Sequence, residues 1–235
     1  MSTIHDNIAK VRTRIREAAQ ASGRDPQAVQ LLAVSKTKPA HALREAFACG
    51  QRDFGENYLQ EALAKQAELA DLDLVWHFIG PIQSNKTKPL AEHFAWVHSV
   101  DRLKIAERLS AQRPAHLAPL NICLQVNVSG EASKSGCNPD ELPALAAAVA
   151  ALPNLRLRGL MAIPEPTAEV AAQRAAFARL RQLQESLSLP LDTLSMGMSD
   201  DLEAAIAEGA SWVRIGSALF GARDYPQKAS ESPAR

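Results

Sequence analysis

A lysine follows an uncharged, apolar segment near the start of the chain, where Lys36 comes directly after Leu31–Ser35. The segment predicts a buried β-strand, so the amine at its end should be partly desolvated, which favours the neutral, nucleophilic form of lysine. Neutral lysines form Schiff bases with carbonyl compounds. The alternative is an ordinary solvated lysine at a strand end, and this segment alone does not distinguish the two.

Two segments near the other end of the chain have residues suited to binding a phosphate. Gly216 permits close approach of the backbone and, where needed, a positive φ, and Ser217 can donate its hydroxyl. Ser199 and Asp200 precede a helical pattern with Glu203 three residues later, which predicts a capping box at a helix start. The free N–H groups of a helix start attract anions. Ordinary capping and a glycine turn would give the same pattern.

Short apolar segments alternate with helical patterns along the whole chain. A first helix is predicted from Ile4 to about Ala21. The eight candidate strands are Leu31–Ser35, Asp53–Gly55, Val75–Ile79, Trp96–Ser99, Ile122–Val128, Leu157–Met161, Thr193–Ser195 and Trp212–Ile215. The helical segments after them begin near Pro39, Tyr58, Ser84, Arg102, Asp140, Ala168, Asp200 and Ser217.

This alternation predicts an α/β protein with parallel strands, because a helical crossover returns the chain to the same end of a sheet. Eight units predict a single (β/α)₈ TIM barrel with an extra N-terminal helix, over residues 1–224, and residues 225–235 are expected to form a disordered tail. An open doubly wound sheet remains the alternative. Barrel active sites lie at the C-terminal ends of the strands, which adds Asn57 and Met161 to the candidate binding residues.

Polar side chains on the inward face of the predicted barrel need partners. On the fifth strand Gln125 lies on the opposite face from the apolar residues Ile122 and Leu124, and His77 lies opposite Trp76 on the third strand. A bound polar ligand would satisfy Gln125 and His77. Hydrogen bonds to neighbouring side chains or buried water would satisfy them equally well.

Composition limits the class of protein. The 235 residues are 46% hydrophobic, with 26 basic and 26 acidic residues, so no charge excess indicates a nucleic acid or anionic membrane partner. No apolar run reaches the ~18 residues of a membrane span, and the N-terminus lacks the pattern of a signal peptide. Three cysteines without CxxC spacing predict neither a disulfide framework nor a metal site. A cytoplasmic location is therefore expected.

Several long segments resemble the pyridoxal phosphate homeostasis protein family, which is related to the N-terminal barrel of alanine racemase. The resemblance covers about residues 31–223, in segments that occur in the family's order. They are Ala33–Lys38, Phe54–Tyr58, Trp76–Lys86, Arg158–Met161, Leu194–Asp201 and Val213–Gly221.

The resemblance implies that pyridoxal 5′-phosphate (PLP) is held as a Schiff base on Lys36. It also implies phosphate contacts from Ser199, Gly216 and Ser217, and a contact from Arg214 to the pyridine nitrogen. These positions coincide with the Schiff-base lysine and the phosphate site indicated by the residues themselves.

The sequence favours a handler of PLP over a PLP enzyme. A racemase needs acid/base groups on both faces of the cofactor. With Lys36 on one face, a tyrosine would have to serve the other, and the sequence has only Tyr58 and Tyr225. Arg214, always charged, disfavours protonation of the pyridine nitrogen and so weakens carbanion chemistry. We therefore expect a carrier in vitamin B6 homeostasis without catalytic residues or turnover, affecting amino-acid and keto-acid balance.

Two other hypotheses stay open: a PLP enzyme with racemase-like chemistry, and a barrel enzyme that uses Lys36 as an aldolase-type lysine on a phosphorylated small molecule. The expected partners are PLP and, transiently, PLP-requiring apoenzymes, and a monomer is expected. Residues 129–136 are predicted to form a loop after the fifth strand, and Lys134 within it is a candidate for steering PLP by its charge.

Overall fold

The chain forms a closed barrel of eight parallel strands in a computed structural model that describes residues 3–130 and 135–221. Each strand pairs with its neighbours in chain order, and β1 pairs with β8 to close the ring. The strands are β1 Gln30–Val34, β2 Asp53–Glu56, β3 Val75–Phe78, β4 Trp96–Val100, β5 Leu120–Gln125, β6 Leu155–Met161, β7 Thr193–Ser195 and β8 Trp212–Ile215. The predicted TIM barrel is confirmed, and the open sheet is excluded.

Helices connect the strands and surround the barrel. They are α1 Ile4–Ala21, α2 Ala40–Ala48, α3 Leu59–Glu68, α4 Thr87–His93, α5 Leu103–Gln112, α6 Leu142–Ala150, α7 Val170–Ser186, α8 Leu202–Ala207 and α9 Ser217–Phe220. Short 3₁₀ turns occupy Pro26–Ala28 and Ser84–Lys86. Helix α1 is the predicted additional N-terminal helix, and Thr3 and Asp6 form a capping box at its start.

Two layers of packing follow from the alternation of side chains along the strands. Residues such as Ile122 and Leu124 on β5 join the large apolar core between the strands and the helices. Cys123, between them, belongs to a separate cluster with Trp96 and Met161. The predicted outward and inward faces of β5 are therefore correct.

Two local predictions are wrong. Helix α8 begins at Leu202 after Asp201, and no side chain caps its first turn, so Ser199 and Asp200 are not part of a capping box. The Asp201 carboxylate instead accepts a hydrogen bond from the Met198 N–H at 2.6 Å, which closes a turn ahead of the helix. Strand β5 ends at Gln125, three residues early, because Val126 pairs across to Cys137 in an isolated bridge.

Some predictions fall outside the described residues. Lys134 and the tail from Tyr225 lie there, so the structure does not test them. Within residues 3–130 and 135–221, no helix is both long and apolar enough to cross a membrane.

Candidate functional site: a cationic cavity at the C-terminal mouth of the barrel

A cavity of about 280 Å³ opens at the C-terminal ends of the strands, where the fold places barrel active sites. It brings together most of the predicted binding residues with side chains that the sequence did not single out. Its lining consists of Val34, Lys36, Lys38, Asn57, Ile79, Ile163, Met198, Ser199, Asp200, Arg214, Gly216, Ser217 and Gly221. Three cationic side chains against one carboxylate suit an anionic ligand.

Lys36 is half-buried and follows strand β1, where a buried ion pair supports the backbone before it. The Lys65 ammonium of α3 donates to the Ser35 carbonyl at 2.7 Å and to the Glu56 carboxylate at 2.8 Å. The Ser35 hydroxyl donates to the same carboxylate oxygen at 2.5 Å. Burial raises the pKa of Glu56, while the Lys65 ammonium acts in the opposite direction. The pair thus ties the end of β1 to β2 and α3.

The residue after Lys36 is held as well. The Thr37 N–H donates to the Glu61 carboxylate at 2.6 Å, and Glu61 also accepts from Lys65 at 2.6 Å. Thr37 has a φ of 63°, in the left-handed region that non-glycine residues rarely adopt. The backbone on both sides of Lys36 is therefore anchored by one ionic cluster, which restricts where its amine can point.

Ser199, Gly216 and Ser217 come together on the cavity wall. The Ser217 hydroxyl lies 3.3 Å from the Ser199 hydroxyl, although the two residues belong to different loops. Gly216 has a φ of −116°, so its backbone does not need the positive φ that glycine permits. Glycine instead allows the backbone of residue 216 to pack closely against Val34, because a Cβ there would lie 3.3 Å from the Val34 carbonyl oxygen. These two hydroxyls and the adjoining backbone can bind a phosphate.

Helix α1 fixes both of these loops from outside. Arg14 donates to the Ser199 carbonyl at 3.1 Å and pairs with Glu203 at 2.8 Å. Asn7 donates to the Leu219 carbonyl of α9 at 2.9 Å. The additional N-terminal helix thus contributes to the cavity without lining it.

Arg214 projects inward from β8 and is almost wholly buried. Its guanidinium donates to the Ser195 hydroxyl at 2.9 Å and to the Ala162 carbonyl at 2.9 Å. Burial lowers its pKa to about 10, which leaves the group charged at neutral pH. These bonds use two of the five N–H donors of the guanidinium, and Arg214 is among the residues that line the cavity.

Asn57 shows that the cavity suits a polar ligand. Asn57 lines the cavity, and its buried side-chain oxygen has no hydrogen-bond partner among the described residues. A buried amide oxygen left unpaired costs about 1–3 kcal/mol, and a ligand donor would remove that cost. Gly80 fixes its position, because a Cβ at residue 80 would clash with the Asn57 backbone carbonyl.

Met161 is the one predicted binding residue that does not reach the cavity. Its side chain is fully buried against Trp96 and Cys123 in the barrel interior. Strand-end position indicated Met161, but a side chain that points inward below the rim packs against the interior residues rather than a ligand.

His77 finds its partners inside the protein. Its Nε2 lies 3.0 Å from the Asp53 carboxylate, and its Nδ1 lies 2.9 Å from His98 Nε2. His98 in turn lies 2.8 Å from the Ser195 hydroxyl. The internal interpretation of His77 is therefore correct. The sequence did not single out His98, although it lies two residues after Trp96 on an alternating strand.

The described part of the chain supports neither a metal site nor a reactive cysteine. No group of three His, Cys, Asp or Glu residues there could hold a metal ion. Burial raises the pKa of Cys123 to about 12 and that of Cys137 to about 11, so neither forms a thiolate at neutral pH.

The two buried histidines predict a loss of stability in acid. Burial lowers the pKa of His77, and burial, with the neighbouring His77 and Arg214, lowers that of His98 well below 6.5. Between the lowered values and 6.5 the unfolded chain binds more protons, so the free energy of unfolding falls as the pH falls. Each histidine contributes at most about 1.4 kcal/mol per pH unit.

Denaturant unfolding between pH 5 and 7.5 measures this slope. His98→Gln should flatten it, and His116→Gln, at an exposed imidazole, is the control. If the free energy of unfolding depended on pH equally in the wild type and in His98→Gln, the loss of stability in acid would not come from His98.

Known proteins share this fold and, at high identity, this sequence. Residues 6–224 match the family model described as "Alanine racemase, N-terminal domain". A relative from Pseudomonas aeruginosa, named pyridoxal phosphate homeostasis protein, is 81% identical over 98% of this chain and 100% of its own. PipY of Synechococcus elongatus, solved with PLP bound, is 43% identical, with a TM-score of 0.83 over 93% of this chain and 100% of its own.

More distant structures share the fold alone. The alanine racemase of Streptomyces coelicolor superposes with a TM-score of 0.71 at 22% identity, over 93% of this chain and 57% of that one. The resemblance noted in the sequence is therefore confirmed by the curated relatives and by the family model. The chain belongs to the pyridoxal phosphate homeostasis protein family, built on the alanine racemase N-terminal barrel.

Proposed function

We propose that this protein binds PLP in the C-terminal cavity and serves as a PLP carrier in vitamin B6 homeostasis. The observation that carries the proposal is the meeting of Lys36 with Ser199, Gly216 and Ser217 around one cavity. A relative that is 43% identical over its whole length has PLP bound. The cationic lining suits an anionic ligand, and the unpaired Asn57 oxygen suits a ligand that also donates a hydrogen bond.

Each residue has a part in holding the cofactor. Lys36 supplies the amine for a Schiff base with the aldehyde. Ser199, Gly216 and Ser217 hold the phosphate through hydroxyl and backbone donors. Arg214 faces the ring nitrogen, where its positive charge opposes protonation of the ring. PLP supplies an electron sink for amino-acid chemistry when its ring nitrogen is protonated, and Arg214 weakens this capacity.

A carrier without turnover is the version of this function that the cavity favours. Tyr58, the one tyrosine in the described residues, is 55% exposed and does not line the cavity, so it does not provide a second acid/base group. The opening of the cavity toward solvent at the barrel mouth suits exchange of PLP with apoenzymes. The proposed carrier is a monomer that contacts these apoenzymes only transiently.

Borohydride reduction followed by peptide mass mapping tests the linkage. Purified protein loaded with PLP should be yellow, lose that colour on reduction, and carry the phosphopyridoxyl group on the peptide that contains Lys36. A group found mainly on Lys38 or Lys86 would refute the assignment. Absence of colour would favour the aldolase-type alternative.

Isotope exchange tests the absence of turnover. Alanine and other amino acids incubated with the loaded protein in deuterated water should retain their Cα proton. Exchange at the rate of a racemase would replace the carrier proposal with the racemase-like alternative.

A further inference from the structure

A chain of hydrogen bonds crosses the interior of the barrel from one end to the other. Asp53, the first residue of β2, bonds to His77 of β3, and His77 bonds to His98 of β4. His98 then reaches across the barrel to Ser195 of β7, which accepts from Arg214 of β8. The successive distances from Asp53 to Arg214 are 3.0, 2.9, 2.8 and 2.9 Å. We call Asp53, His77, His98 and Ser195 the interior relay.

The chemistry of its two ends determines the direction of every bond in the relay. A carboxylate only accepts, so His77 carries its proton on Nε2 and donates to Asp53. The neutral His77 ring then accepts at Nδ1 from Nε2 of His98. His98 accepts at Nδ1 from the Ser195 hydroxyl, whose oxygen accepts from the Arg214 guanidinium. All donors point from the cation at one end toward the anion at the other, and successive bonds strengthen one another.

The surroundings keep both histidines neutral. The His77 ring stacks on Trp96 at 5.4 Å and lies 4.9 Å from Trp212, which excludes water from the middle of the relay. Asp201 and Cys123 act electrostatically on Arg214, and the Arg158 guanidinium lies 4.7 Å from the centroid of the Trp96 ring. Protonating His77 at Nδ1 would place its N–H against the N–H on His98 Nε2 and break the bond between the two rings.

We propose that His98 and Ser195 are positioning residues that aim the Arg214 guanidinium into the cavity, and that Asp53 fixes the direction of their hydrogen bonds. Asp53 lies at the N-terminal end of the barrel, where its side chain is 29% exposed and lines a separate cleft. Arg214 lines the C-terminal cavity. The inference deepens the proposed function, on which it rests for the role of Arg214 toward bound PLP.

Nitrogen-15 NMR of the imidazoles tests the relay in protein free of PLP. At pH 7 both His77 and His98 should be neutral with the proton on Nε2. Asp53→Asn can donate as well as accept at this position, so it should introduce the Nδ1–H form at both rings. A charged ring or an Nδ1–H form in the wild type would overturn the relay.

Ser195→Ala tests the action on Arg214, with Ser110→Ala as the control. Both substitutions remove a buried hydroxyl that makes a hydrogen bond, but Ser110 lies on α5 and bonds to the Pro153 carbonyl. Ser195→Ala should raise the dissociation constant for PLP roughly tenfold, as expected when a buried charged donor loses an acceptor. It should also shift the absorption spectrum of bound PLP and its pH dependence, whereas Ser110→Ala should not.

The outcomes separate the relay from the site. An adduct on a lysine other than Lys36 would refute the proposed function and leave the NMR result standing. The expected tautomers together with wild-type affinity and spectrum in Ser195→Ala would overturn the positioning role alone. If Ser195→Ala does not fold, the spectrum of PLP bound to Asp53→Asn decides, because reversal of the relay should also shift it.

Discussion

Lys65→Ala is expected to destabilise the protein by roughly 3–5 kcal/mol, because it leaves a buried carboxylate without its partner. Lys65 donates to the Ser35 carbonyl, Glu56 and Glu61, and its side chain is 7% exposed. Losing the ammonium also frees the backbone on both sides of Lys36. Denaturant unfolding at pH 7 measures the first effect, and PLP titration measures the second.

An exposed ion pair supplies the control for this change. Lys88 pairs with Glu92 at 3.6 Å on the surface of α4, so Lys88→Ala should change the free energy of unfolding by less than about 1 kcal/mol. Converting both partners of the buried pair, as in Lys65→Met with Glu56→Leu, should recover much of the lost stability. A similar small loss in Lys65→Ala and Lys88→Ala would show that the buried pair does not anchor β1.

Gly216→Val is expected to weaken PLP binding by at least about tenfold while the barrel stays folded. The valine side chain would project beside Val34 at the cavity wall and keep a phosphate from the backbone of residues 216 and 217. Loss of one or two hydrogen bonds to an anion accounts for a change of this size. Titration of the apoprotein with PLP, followed by absorption, measures the affinity.

Two further variants test whether the loss of PLP affinity depends on the size and the position of the added side chain. Gly216→Ala adds a Cβ at 3.3 Å from the Val34 oxygen, so it should have a smaller effect than valine. Ala218→Val, two residues on in α9, does not line the cavity and should leave the affinity unchanged. Wild-type affinity in a folded Gly216→Val protein would place the phosphate elsewhere.

The order of the barrel elements could be predicted from the sequence because each strand is a short apolar run bounded by turns. Strand β7, Thr193–Ser195, was predicted to the residue, and β1 was displaced by one. The site followed from the fold, since Lys36, Asn57, Arg214 and Ser217 all come at or just after strand ends. Position at a strand end wrongly predicted Met161 as a binding residue, because it does not tell whether a side chain points into the core or into the cavity.

Interactions between distant residues could not be predicted in this way. Glu203 suggested a capping box by its spacing from Asp200, but it pairs with Arg14, which lies 189 residues away. The contact between His98 and Ser195 joins residues 97 apart, across the barrel rather than between neighbouring strands. Such pairs depend on the closed ring, and nothing in the local pattern of either partner indicates the other.

The pairing of β1 with β8 makes the cavity a product of ring closure. Lys36 leaves the ribosome with the first β/α unit, whereas Arg214 and Ser217 emerge with the last. Asn7 of α1 can make its hydrogen bond only after Leu219, 212 residues later in the chain, has been synthesised. A nascent chain holding six units would therefore have the proposed Schiff-base lysine but none of the three proposed phosphate-binding residues, and the cavity wall that Gly216 and Ser217 form is added only with the last unit.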